Sequence, residues 1–360
     1  MKKESLLLII TVIFLSVFGI IMIYSASSIW AEYKFNDSFH FAKYQLIFFL
    51  ISLIFMYIIS KINYMFYYKY INIILLIAFI LLIIVLIPGI GTIRNGSRSW
   101  FSLGPISMQP SEFAKISLII FLSKYLSKNQ KVINDIKKGL LPVLSIILIF
   151  FALIILEPDM GSAMVIIITL ILIIFTSGVK LSFFTSIGII GLIGLTILII
   201  IAPYRIKRIV SFINPWTDPL GSGYQIIQSL YAIGPGGLLG LGFGKSIQKQ
   251  FYLPEPQTDF IFSIISEEFG FLGVLIITFL FGYLFYIIIK ISLSQEELFA
   301  KYLSFGLGIQ IIIQSLLNLC VVVGLIPVTG VTLPFLSYGG SSLLVSLTSI
   351  GIILNINKNK

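Results

Sequence analysis

Apolar residues run along this chain in long blocks, without period-two alternation. About ten of the blocks are long enough to cross a ~30 Å hydrocarbon layer as helices. They lie at 6–24, 44–62, 71–87, 112–126, 139–156, 162–176, 181–202, a stretch ending near 289, 304–323 and 340–356. A helix satisfies its own backbone in lipid, whereas a barrel strand would show alternation, so helices are the spanning element. The pattern predicts an all-α polytopic membrane protein of about ten transmembrane helices. The first block imitates a secretory leader, but about 20 apolar residues is long for one, and it reads as an uncleaved first span.

Basic residues gather on alternate connections: Lys2 and Lys3, Lys61 and Lys69, Lys128 to Lys138, Lys180, Lys290 and Lys301, and Lys358 and Lys360. That bias places both termini in the cytoplasm. It leaves a large extracellular loop, 204–258, between helices 7 and 8. At 58% hydrophobic, 11% charged and a mean hydropathy of +1.08, the chain has too much apolar surface for a soluble core. The net charge of +10 follows the span ends, so nucleic acid is not an expected partner. A single cysteine, Cys320, excludes an internal disulfide and a cysteine metal site. The single histidine, His40, stands alone at a membrane edge, which excludes a Ser-His-Asp arrangement.

Inside the long loop, GSGYQIIQSLYAIGPGG reads as a short helix, with Ser222 placed to cap it and Gly234-Pro235 to stop it. Ile226, Ile227, Leu230 and Tyr231 give it an apolar face suited to the membrane interface. The glycines of GPGGLLGLGFGK are open to two readings, a flexible turn or backbone drawn close to a ligand. The loop ends in LPEPQTDFIFSIISEEFG, where Asp259 stands as the chain turns apolar again. A carboxylate is costly to desolvate there, which makes Asp259 the leading candidate for chemistry. From Asp259 to Lys290 the chain is too long for one perpendicular span. Its first two turns, with Glu267 and Glu268, are therefore expected at or above the outer boundary. On a helix, Asp259, Ser263 and Ser266 would share one face.

Other polar outliers fall on the same side. One loop carries Arg98 and Trp100, and the helix after it begins with Ser111 as a cap and Glu112 at its positive end. Lys115 is spaced i,i+3 from Glu112 for an ion pair. Glu157 and Asp159 flank Pro158, with Asp159 placed to cap a helix. Ser341 and Ser342 lead into the last span, either as a tight helix start or as part of a donor array for an anion. Arg205 and Arg208 sit in the long loop against the usual charge bias, and an anionic ligand would give them a reason. No metal-ligand cluster with tight spacing is visible. The residues alone imply a site for an anionic, partly lipidic substrate at the outer leaflet, with a carboxylate as general base.

Four stretches, NGSRSWFSLGPISMQPSEFAK, RIVSFINPWTDPLGSGYQIIQSLYAIGPGGLLGLGFGKS, FYLPEPQTDFIFSIISEEFG and GLIPVTGVTLPFLSYGGSS, resemble in order those of the SEDS family. That family covers shape, elongation, division and sporulation proteins, including FtsW, RodA and SpoVE, and the likeness is nearest the division and sporulation branch. Gln257 stands where many members have histidine, and Glu157 where many have glutamine. The resemblance implies a single SEDS transmembrane domain over 1–360 in the bacterial cytoplasmic membrane. It implies a peptidoglycan glycosyltransferase that polymerises lipid II into β-1,4 glycan with inversion. Asp259 would be catalytic, and Arg98, Trp100, Glu112, Lys115, Arg205, Arg208, Ser341 and Ser342 would bind substrate. It implies lipid II, the nascent glycan, membrane lipid, a class B penicillin-binding protein and the division or sporulation machinery as partners. A divalent cation, magnesium or manganese, is left open as an aid to the departing diphosphate, with no metal ligand named. Two alternatives compete with this reading, a lipid II flippase and a noncatalytic scaffold for the transpeptidase.

Overall fold

A computed structural model describes residues 2–94, 96–103, 106–201 and 203–359, without the side chains of 103, 106, 198 and 203–205. Helices α1 (Lys3–Phe35), α2 (His40–Lys61) and α3 (Met65–Leu86) lead into a small antiparallel sheet, β1 (Thr92–Arg94), β2 (Ser97–Leu103) and β3 (Ile106–Met108). Then follow α4 (Pro110–Lys128), a π turn, α5 (Leu141–Leu156), α6 (Met160–Thr176) and α7 (Leu181–Ile201). Two loop helices come next, α8 (Pro203–Ile213) and α9 (Tyr224–Ile233), before α10 (Ile261–Leu293), α11 (Leu298–Val322) and α12 (Gly340–Lys358). The chain is a multi-pass, helical membrane protein.

Ten of these helices overlie the ten apolar blocks. Among the described residues, eight are long and apolar enough to cross a membrane. The other two are α6, with 17 residues, and α4, which carries Glu112, Lys115, Lys124 and Lys128. The sheet was not legible in the sequence, because strands of three residues are too short to show a period.

The core is built around α11, which packs on α4, α6, α10 and α12. Alpha-helix α12 is the most enclosed span, with 83% of its apolar window buried, and it lies along α2. Small residues allow close approach where backbone meets backbone. At Gly19 in α1, an added Cβ would lie 2.7 Å from the Leu336 Cα.

Helix α10 is broken near its outer end. Gly270 has φ 62 and ψ −159, so a short helix of 261–269 precedes the long one. The break frees backbone groups that lipid could not satisfy. The glycine loop supplies them: Phe271 N–H donates to the Gly237 carbonyl at 2.8 Å and Leu272 N–H to Leu238 at 3.1 Å. In return, the carbonyls of Glu267 and Glu268 accept from Leu241 and Gly242 at 2.9 and 3.0 Å. The glycine run is thus neither a loose turn nor a ligand cradle at these positions; it lies backbone-to-backbone on α10.

Two buried carboxylates lock the same loop. Glu267 accepts from the hydroxyl of Ser246 and from the Ile247 N–H at 2.8 Å. Glu268 pairs with Lys249 at 3.1 Å and accepts from the Ser25 hydroxyl of α1 at 2.6 Å. Both glutamates are enclosed by protein, at 0% and 1% exposure.

Helix α7 is held differently. Phe183 is buried and Phe184 packs on Phe175 of α6, with ring centroids 5.4 Å apart. Ile187 also packs on the core, and beyond it the described residues of α7 are mostly exposed. Nothing lies within 4 Å of a Cβ built at Gly188, Gly191 or Gly194.

Candidate active site around Asp259

Asp259 lies two residues ahead of α10, in a turn, so it does not share a helical face with Ser263 and Ser266. Ser263 faces α9 instead, where its hydroxyl meets Ser229 at 2.8 Å. Helix α9 packs on α10 and α11, with Ile226, Ile227 and Ser229 buried. Its N-cap is Gly223, one residue past Ser222, whose hydroxyl donates to Asp218 at 2.9 Å.

Three contacts fix the backbone around Asp259. The Asn318 side-chain amide donates to the Asp259 carbonyl at 2.7 Å and to the Val331 carbonyl at 2.8 Å. The Tyr338 N–H donates to the Gln257 carbonyl at 2.8 Å. Phe260, fully buried, anchors the next position. The carboxylate itself accepts from Thr258 Oγ1 at 2.9 Å and stays partly exposed. Burial pushes this carboxyl up to about 6, against the hydrogen bond from Thr258 and the positive charge of Arg208. Arg208, on α8, reaches the same rim and donates to the Val328 carbonyl at 3.1 Å.

A polar row on α11 underlies the site. Gln310, Gln314 and Asn318 recur every four residues and so share one helix face. Gln314 accepts from Lys115 at 2.9 Å and donates to the Thr332 carbonyl and Ser342 Oγ at 3.1 and 3.2 Å. Lys115 also pairs with Glu112 at 2.7 Å, and both are buried. A continuous chain of polar contacts thus joins the Glu112–Lys115 pair to the segment that carries Val331. Sequence reading found the two ends and missed Gln314 and Asn318, although the four-residue spacing of amides within an apolar span was the available signal.

The other expected site residues sit apart from Asp259. Ser341 donates to the Ser107 carbonyl at 2.9 Å, tying α12 to β3. Ser342 lies among Gln314 and Thr332. Neither forms an open donor array. Arg98 donates to the Leu86 carbonyl at 3.3 Å, and Trp100 lies under Arg94, whose guanidinium is 5.0 Å from its ring. The Arg205 side chain lies outside the described residues. Ser111 does not cap α4, whose N-cap is Gln109; its hydroxyl bonds Asp159 at 3.3 Å. Asp159 does cap α6, accepting from the Ser162 N–H at 3.0 Å. Glu157 is fully enclosed with neither carboxylate oxygen hydrogen-bonded, and burial, then the Asp159 charge, pushes it up to about 9.

Residues 5–360 match the family model described as cell cycle protein, FtsW/RodA/SpoVE. The chain belongs to the FtsW/RodA/SpoVE family. Among FtsW/RodA/SpoVE relatives, it is 51% identical over 359 residues to stage V sporulation protein E of Bacillus subtilis, covering 99% of this chain and 98% of that one. It is 42% identical over 357 residues to the probable peptidoglycan glycosyltransferase FtsW of Trichlorobacter lovleyi, covering 99% and 94%. Its fold matches a chain from a peptidoglycan synthase complex that coordinates polymerization and crosslinking, with TM-score 0.79, 28% identity and coverage of 98% and 97%. It also matches the crystal structure of Thermus thermophilus rod shape determining protein RodA, with TM-score 0.73, 27% identity and coverage of 98% and 96%.

Proposed function

We infer that this protein is a peptidoglycan glycosyltransferase, and that Asp259 is its general base. The observation that carries the assignment of the base is a partly exposed carboxyl that accepts from Thr258, on a backbone held by Asn318, beside an arginine. Relatives named peptidoglycan glycosyltransferase support the reaction class; in the proposed reaction, lipid II is joined into β-1,4 glycan at the outer face of the bacterial cytoplasmic membrane. Both termini then lie in the cytoplasm and 204–258 forms the outer loop of a single domain spanning 1–360.

In the proposed step, the 4-hydroxyl oxygen of an incoming lipid II attacks the anomeric carbon of the growing chain. Asp259 takes the hydroxyl proton as the C–O bond forms. The bond to the diphosphate breaks on the opposite face, inverting an α linkage to β in one displacement. The leaving diphosphate gains charge, which Arg208 at the same rim would offset, with Arg205 kept as a second candidate on sequence grounds. Arg98, Trp100 and Ser341, which sit apart from Asp259, would meet more distant parts of the substrate, while Glu112, Lys115 and Ser342 join the α11 amide row through Gln314. Among the described residues no group of three or more His, Cys, Asp or Glu gathers to hold a metal, so a divalent ion would travel chiefly on phosphate oxygens.

The open side of α7 supports lateral access. Its apolar residues are exposed, and a polyprenyl tail lying against them would stay in lipid while its head reached Asp259. The 51% identity to a sporulation protein favours a sporulation role over general division, with a class B penicillin-binding protein as the crosslinking partner. Reconstitution with lipid II and that partner tests the reading. Asp259→Asn is expected to abolish polymer while leaving the complex assembled. Parental polymer from the Asn variant would overturn it, and flipping scored separately in liposomes separates the enzyme from a transporter.

A further inference from the structure

A broad, shallow cleft lies at the end of α1 that leads to α2, lined in part by Phe251. It has a volume of about 530 Å³ and is bordered by Ser28, Glu32, Tyr33, Asn36, Ser38 and Phe251. Trp30, Tyr33 and Phe251 meet there edge to face or stacked, with ring centroids 5.6–6.1 Å apart. Tyr33 is 77% exposed and Phe251 54%. At ~1.5 Å per residue, the 33 residues of α1 reach about 50 Å, well past a ~30 Å hydrocarbon layer. The aromatic group therefore stands above the level at which a membrane belt would hold it.

Phe251 occupies this position at a cost. Its φ is +65, a left-handed conformation that an aromatic residue rarely adopts. It sits at the tip of a turn closed by Leu253 N–H donating to the Gln248 carbonyl at 2.9 Å. Lys249 fixes the base of that turn, donating to Glu268 of α10 and to Ser25 of α1 at 3.1 and 3.2 Å. A strained backbone that holds a ring out into solvent gains little burial, so stability does not account for it. Around the rings stand one carboxylate, one amide and two hydroxyls, and the Lys34 ammonium lies 5.5 Å from the Trp30 ring and 5.4 Å from the Phe35 ring rather than in an ion pair with Glu32. One carboxylate and one ammonium leave no net positive charge to select an anionic headgroup. A pyranose offers what the cleft lacks: a C–H face for the electron-rich rings and hydroxyl donors for the carboxylate. The cleft is eight residues from Asp259 along the chain, at most ~28 Å away, so a strand leaving the site reaches it within a few sugars.

We propose that this cleft is a subsite for the nascent glycan, with Tyr33 and Phe251 as stacking faces and Glu32, Asn36 and Ser38 as partners for hydroxyl and acetamido groups. It rests on the polymerase reading above and adds a hold on the product, distinct from the reacting centre.

Phe251→Gly tests it, because glycine takes the left-handed conformation freely and the fold loses strain along with the ring. The probe is a soluble β-1,4-linked N-acetylglucosamine hexamer, titrated calorimetrically into the purified full chain with its partner. Binding is expected to weaken about tenfold in Phe251→Gly and in Tyr33→Ala. Strands made from lipid II should shorten several-fold, with the rate of the first bond and the melting temperature kept. Equal titrations and equal strand lengths in parent and both variants would overturn the proposal. So would an aromatic-dependent response to phosphatidylglycerol vesicles with none to the hexamer, which would mark a headgroup site. Asp259→Asn is expected to bind the hexamer as the parent does. If it also polymerised normally, the role of Asp259 would fall while the binding result stood.

Discussion

The Asn318 amide donates to the backbone carbonyl of Asp259 at 2.7 Å, so a residue deep in α11 sets where the candidate base stands. Asn318→Ala would leave that carbonyl and the one on Val331 without their donor, at about 1–3 kcal/mol for each buried group. With the carboxylate displaced, kcat is expected to fall about tenfold or more with KM little changed. Steady-state kinetics on lipid II check the split. A rise in KM alone would show that Asn318 serves binding and not placement.

The pH profile follows from the same carboxyl. Its burial holds it at about 6, and only the deprotonated form can accept a proton. Polymerisation is expected to climb through that pH and level off above it. Moving the groove toward greater exposure, by Phe260→Ala, should lower the midpoint. A profile flat from pH 5 to about 8 would remove Asp259 from the proton transfer.

Glu157 makes a prediction of opposite sign for stability. The group is enclosed, unpartnered and raised to about 9 in the folded chain, so the folded state holds a proton that the unfolded state releases near 4.5. That contribution is complete below the lower value and lost as pH rises toward the upper one. Glu157→Gln escapes the penalty. Its advantage should grow from pH 5 upward and approach about 4 kcal/mol at pH 7.5, at 1.36 kcal/mol per unit. Thermal unfolding in detergent at several pH values reads it; a pH-independent difference would mean that Glu157 is ionised in the fold.

Removing one member of the Glu112–Lys115 pair isolates a buried charge. Lys115→Met is expected to destabilise by about 3–5 kcal/mol, and the further change Glu112→Gln to recover part of the loss. A double-mutant cycle on melting temperatures measures the coupling. Additive losses would show that the two charges do not depend on each other.

Gly270→Ala should be damaging out of proportion to its size. The position has φ 62, and a Cβ would come within 2.7 Å of the Gly236 carbonyl. Loss of the loop's docking on α10 should appear as faster proteolysis within 236–246, with the long span intact. Unchanged cleavage would mean the loop is held by Glu267 and Glu268 alone.

The spans were legible because long apolar runs leave few other solutions in lipid. Asp259 and the Glu112–Lys115 pair were legible because charge beside apolar sequence is conspicuous. The helix caps expected at Ser111 and Ser222 were not, since the backbone turns into each helix at a nearby position, Gln109 and Gly223. The break at Gly270 was hidden too: one glycine in an apolar run marks a kink only when a loop arrives to satisfy the freed amides. Asn318 and Gln314 look like tolerated polar residues until the chain folds and brings carbonyls to them.

Because α7 is exposed along most of its described length, it would offer a doorway onto the bilayer. Drawing a long isoprenoid chain into water would cost about 0.8 kcal/mol for each methylene-sized unit, so both reactants keep their tails in the leaflet. They meet by sliding sideways in a plane. The quantity that governs supply is then the number of substrate molecules per unit area of membrane near that doorway, and a cell can raise output by crowding its precursor into a patch without making more of it.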